Sequence, residues 1–120
     1  MRVLVGVDGS DLGLKALEEA VERGQQANDD ITVAVYSPDN EPLEEIVAAV
    51  EDHVETMGLD ITIDTVETEP GSQLLELAER GGYDQIVIPG GKLSPLGKLT
   101  LDSVHEFVIL NARMTVRLVR

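Results

Sequence analysis

The stretch from Ile88 to Ser103, IPGGKLSPLGKLTLDS, gathers three glycines, three hydroxyls and two of the chain's three lysines. No acid stands between Gln85 and Leu101, in a chain where 23 of 120 residues are Asp or Glu. Glycine lets backbone N–H groups approach phosphate oxygens, and lysines and hydroxyls add charge and donors, so the set suits an anion such as a nucleotide phosphate. A second candidate is Asp8, a lone carboxylate closing the apolar run RVLVGV. It could accept hydrogen bonds from an adenine amine or a ribose. It could equally be a turn residue that caps the next helix with Gly9 and Ser10. The residues leave both roles open.

Familiar nucleotide and catalytic patterns fail on spacing. Gly91 and Gly97 are separated by five residues and Leu99 follows Lys98, so the G-x4-G-K-[ST] loop is missed. Gly6, Gly9 and Gly13 fall at the wrong intervals for a dinucleotide fingerprint. A phosphoacceptor receiver domain needs an acidic pair after strand one and an Asp closing strand three, and neither is present. His53 and His105 have no partner at ligand spacing and read as surface or packing residues. The absence of cysteine removes disulfides, thiolate chemistry and zinc clusters. No nucleophile and base stand together, so nothing argues for an enzyme.

Behind these residues stands one α/β domain spanning 1–120. RVLVGV, ITVAVY, YDQIVIP and MTVRLV read as buried or half-buried strands. DITIDTVETE (Asp60–Glu69) alternates apolar and polar residues and reads as a strand at a sheet edge. Between them, Leu14, Leu17, Val21 and Gly24 recur at helical spacing, as do Ile46, Val50, Val54 and Met57 before Gly58. Pro70 opens a third helix closed by Gly81, and Leu101, Val104, Val108 and Ala112 mark a fourth. Five strands alternating with four helices predict a parallel sheet with helices on both faces. Ligands of such sheets bind at the carboxyl ends of the strands, so the loops after Val7, Tyr36 and Ile88 are the ones that matter.

Charge narrows the class further. A net −14 argues against nucleic acid and anionic membranes as partners. The plentiful periodic apolar residues, 42% of the chain, argue against disorder. A folded domain with an acidic, hydrated surface suits a very salty cytoplasm, where the Debye length shrinks to about 3 Å near 1 M salt. No apolar run approaches the ~18 residues of a membrane span, and the opening residues are too short for a secretory signal, so a cytoplasmic, halophilic protein is expected. All but two of the acids, Asp102 and Glu106, precede Gln85, while five of the nine bases follow it. The last strand, Met114 to Arg120, carries no acid. An undefended edge strand of this kind predicts a homodimer through it.

RVLVGVDGSDLGLKALEEA, VAVYSP, YDQIVIPGGKLSPLGKLTLDSVHEFVI and MTVRLVR together resemble the universal stress protein family over essentially the whole chain. The resemblance implies an adenine nucleotide alpha hydrolase-like fold with strand order 3-2-1-4-5. It also implies dimers that often pair their last strands, and roles in stress resistance and signalling rather than defined catalysis. ATP-binding members carry G-x2-G-x9-G-[ST] after strand four and an Asp ending strand one. That Asp matches Asp8, and Val35 falls where the family meets the adenine. The three glycines fall on Pro89, Lys92 and Asp102, and only Ser103 keeps the final hydroxyl.

These departures have physical costs. Pro89 lacks an N–H. A carboxylate at Asp102, ~4 Å from a phosphate, costs on the order of 1–4 kcal/mol. The expected site is therefore degenerate for ATP, and Asp102 itself is a candidate substitute for the phosphate at the start of the fourth helix. The alternative is a modified site in which Gly90, Gly91, Lys92, Ser94, Lys98 and Ser103 take AMP, ATP or another phosphate-bearing ligand.

Overall fold

A computed structural model of the protein describes residues 1–37, 41–90, 92–93, 99–100 and 103–119. Strands β1 (Arg2–Val7), β2 (Asp30–Tyr36), β3 (Thr62–Val66), β4 (Gln85–Pro89) and β7 (Thr115–Val119) form one sheet. Its order is β3-β2-β1-β4-β7, and every neighbouring pair is parallel. Counting only these five strands, the order is the expected 3-2-1-4-5. Two further strands of two residues each, β5 (Lys92–Leu93) and β6 (Leu99–Thr100), pair antiparallel outside the sheet.

Period-two alternation divides the apolar residues of β1 between two faces. Val3, Val5 and Val7 pack with Leu17, Val21, Val33 and Val35 beneath helices α1 (Asp11–Ala27) and α2 (Leu43–Thr56). Leu4 packs on the other face with Tyr36, Leu74, Ile86, Ile88 and Val108 beneath α3 (Pro70–Arg80) and α4 (Ser103–Asn111). Each fully buried Val or Leu contributes about 1.5–3 kcal/mol over an exposed position, so both faces must be covered.

Helix limits follow local chemistry. Ser10 caps α1 by accepting from the Gly13 N–H at 3.0 Å. Gly58 adopts φ +69° just past α2, where the apolar periodicity stops. Pro70 occupies the first turn of α3, which costs no hydrogen bond.

β3 is shorter than its alternating pattern suggests, five residues in place of ten. Its neighbour β2 ends at Tyr36, opposite Val66, so residues after Val66 have no strand to pair with. Glu69 then turns the chain into α3 at φ 42°. β3 does form a sheet edge, and β7 forms the other.

Candidate functional site

β1 leads to β2 and β3 on one side of the sheet, whereas β4 and β7 lie on the other. The winding therefore reverses between β1 and β4, and a crevice is expected at their carboxyl ends. The turn after Val7 and the segment after Pro89 flank that point.

Asp8 sits in this turn as an elaborated helix cap. Its Oδ1 accepts from the Ser10 N–H at 3.0 Å and from the Ser10 hydroxyl at 2.5 Å. The Ser10 hydroxyl oxygen accepts in turn from Gly13, linking carboxylate, hydroxyl and helix end. Gly9 makes the turn at φ +80°, a conformation that side chains disfavour. Gly13 leaves room for the carboxylate, because a Cβ there would lie 2.7 Å from Asp8 Oδ1. The capping role is thus realised. Both bonds run to Oδ1, so a ligand at Asp8 would use Oδ2.

Val35 ends next to this turn, opposite Val7 on one side and Thr65 on the other. It is fully buried in the core under α1 and α2, so its side chain offers no surface to a ligand. Pro89 closes β4 opposite Val119. The next residue, Gly90, is buried, and its N–H donates to the Val119 carbonyl at 2.6 Å. That donor is spent on the sheet.

Lys92 pairs in backbone register with Thr100, a short ladder that the glycine- and proline-rich composition conceals. Ser103 is exposed as the first residue of α4. Gly91, Ser94, Lys98 and Asp102 lie outside the described residues. Asp8 and Val35 thus lie at the carboxyl ends of β1 and β2, and Gly90 follows the carboxyl end of β4.

A contact near this end escapes sequence reasoning. The Tyr36 hydroxyl lies 2.7 Å from His105 Nε2, with both residues buried and the rings edge-on at 6.4 Å. It joins the end of β2 to α4 across 69 residues. The only signal in the sequence is that His105 falls on the apolar face of α4, three residues before Val108. His53, expected on a helix surface, lies 3.0 Å from Glu18 and bridges α2 to α1. Among the described residues, no group of three metal-ligating side chains converges.

Comparison with known proteins places this architecture. A solved universal stress protein in complex with cAMP is 28% identical, with a TM-score of 0.76, over 100% of this chain and 96% of its own. A curated universal stress protein of Methanocaldococcus jannaschii is 25% identical over 139 aligned positions, 99% of this chain and 81% of the relative. These relatives support the universal stress protein family for this chain. A structure of a universal stress protein from Archaeoglobus fulgidus is similar too, 26% identical with a TM-score of 0.73, over 100% of this chain and 98% of its own. No family model matches the chain. The family resemblance read from VDGS, the element order and the closing strand is upheld by these relatives.

Proposed function

We propose that this universal stress protein serves stress response or signalling without catalysis, through a site that does not take ATP. The residues after β4 carry the reading: the positions where ATP-binding members offer glycine amides fall on Pro89, Lys92 and Asp102, and the adjacent Gly90, one place off register, has its buried N–H committed to Val119 at 2.6 Å. Pro89 beside it has no N–H to offer. Recovering the Gly90 amide for a ligand would strip a hydrogen bond from the end of the sheet, at roughly 1 kcal/mol.

A second reading is favoured by one relative. The 28% identical universal stress protein was solved with cAMP, which carries a single phosphate and asks less of the loop. Asp8 Oδ2 and the α4 start at Ser103 are the groups such a ligand would use. Calorimetric titration in molar KCl with ATP, AMP and cAMP separates the two. No heat with any nucleotide supports the first, binding of AMP or cAMP alone supports the second, and tight ATP binding refutes the first. Asp102→Gly is expected to raise ATP affinity about tenfold if that carboxylate stands in for a phosphate, the size of effect a ~1.4 kcal/mol repulsion produces.

The protein is further proposed to be a cytoplasmic homodimer from a halophile, joined through β7. Among the described residues, no helix is long and apolar enough to cross a membrane. β7 is an unpaired edge with half-buried Val116, Arg117 and Leu118. Phe107 of α4 lies against Gly71 of α3. At about 100° per residue, exposed Ile109 falls on the opposite flank of α4, away from α3 and toward this edge. Light scattering in molar salt tests the assembly, and a monomer would refute it.

A further inference from the structure

A cavity of about 380 Å³ lies at the amino ends of β2 and β3, at the opposite end of the sheet from Asp8 and Gly90. It arises from a mismatch between two strands. β2 pairs with β1 from its first residue, Asp30, whereas its pairing with β3 starts only at Thr32, opposite Thr62. Asp30 and Ile31 therefore have no strand beside them on the β3 side. The irregular segment Leu59, Asp60 and Ile61 lines the gap, and the last turns of α1 form the remaining wall.

Floor and rim differ in chemistry. Val21, Ile31, Leu59 and Ile61 line the cavity with aliphatic surface. Val21 is buried and the other three are half-buried, so part of that surface stays open to a ligand. The charged groups of the lining are Asp29, Asp30 and Asp60, with no lysine or arginine among them.

These charges are unevenly compensated. Asp29 Oδ1 accepts from the Met1 ammonium at 3.0 Å, and Asp30 Oδ2 lies 3.6 Å from Arg2 Nε. Asp60 has no ion pair among the described residues. Helix α1 adds to the excess. Asn28 and Asp29 close it by donating to the Gly24 carbonyl, which brings its negative end to the cavity, and no basic residue stands in its last turn. One carboxylate and a helix end are thus left without a counter-charge.

A ring of carboxylates around polar surface would suit any cation. Here the ring encloses an aliphatic floor, in a volume within the roughly 300–1,000 Å³ of small-molecule sites. Among the described residues no three carboxylates converge as metal ligands do, and a bare ion would leave the floor wet. The occupant that answers both features carries one positive charge on a short aliphatic chain.

We infer that this cavity binds a primary alkylammonium, with its charge at Asp60 and the end of α1 and its chain on Ile31, Leu59 and Ile61. The Met1 ammonium on Asp29 is an example of the same pairing on the cavity wall. The site is separate from the crevice at the carboxyl ends of the strands, so its occupation is independent of any nucleotide.

The probes are n-butylammonium and methylammonium, titrated into the full chain and followed by NMR at the amide signals of Ile31, Leu59 and Ile61. Each methylene laid on the floor strengthens binding by up to about fourfold, so the butyl compound should bind at least about tenfold tighter. Asp60→Asn should weaken butylammonium binding about tenfold. Glu45→Gln, the same loss of charge on an exposed residue in the first turn of α2, should leave it unchanged. Equal affinity for the two amines, or equal effects of the two variants, reduces the cavity to general cation attraction and overturns the inference. Signals that shift all along the acidic surface, or that never saturate, overturn it as well.

Discussion

Replacing Tyr36 by Phe removes one oxygen atom from a site that is otherwise unchanged. The ring stays in its edge-on contact with His105, at 6.4 Å and 87°, while the 2.7 Å hydrogen bond is lost. Tyr36 is 0% and His105 3% exposed, so water cannot readily replace the lost hydroxyl. Depriving a buried polar group of such a partner costs about 1–3 kcal/mol. An unfolding entropy of about 2.1 cal/mol/K per residue gives a 120-residue chain roughly 0.25 kcal/mol/K, so Tm should fall by about 4–12 °C. The chain has no tryptophan, so far-UV circular dichroism is the suitable probe. A double-mutant cycle with His105→Leu should show a coupling of at least about 1 kcal/mol. A Tm change under about 2 °C, or additivity within about 0.5 kcal/mol, would refute the idea that this bond pins α4 to β2.

Two further tests address the cap and the charge. Ser10→Ala removes both the acceptor for Gly13 and a donor to Asp8, and should lower stability by about 1–2 kcal/mol, read from urea midpoints. Raising KCl from about 0.1 to 1 M shortens the Debye length from about 10 to 3 Å, and with a net −14 to screen, the unfolding midpoint should climb across that range. A flat or falling midpoint would contradict the halophilic reading.

Much of the scaffold is legible in the residues, for identifiable reasons. β4 shows itself because Ile86, Val87 and Ile88 leave no polar face, a pattern that only a covered parallel strand tolerates. α2 ends where Gly58 can turn left-handed. The limits of β3 are harder to see, since they depend on where β2 stops and not on the alternation of β3 itself.

The candidate site divides in the same way. Asp8 is identifiable as important, because VDGS couples a carboxylate to a helix start. Its cap geometry with Ser10 and Gly13 needs three-dimensional placement to choose between two local roles. Gly90 shows the limit most clearly. A glycine amide in a phosphate-like loop and one closing a β-ladder look alike in sequence, and only the position of Val119, 29 residues later, separates them. Tyr36 and His105 likewise carry no mutual signal, since a hydrogen bond between distant elements leaves no periodicity.

The two borders of the sheet bear unlike residues. β3 exposes Thr62 and Thr65 with half-buried Asp64, and Glu67 follows it, whereas β7 has Arg117 as its one charged group. Two β3 borders brought together would set Asp64 and Glu67 against their counterparts, and that like-charge repulsion disfavours pairing there. Once two copies have joined at β7, growth by sheet extension would have only β3 borders left to pair. In the proposed dimer the permissive strand chemistry of the last segment would carry no risk of fibres, because the two outer borders would both be β3.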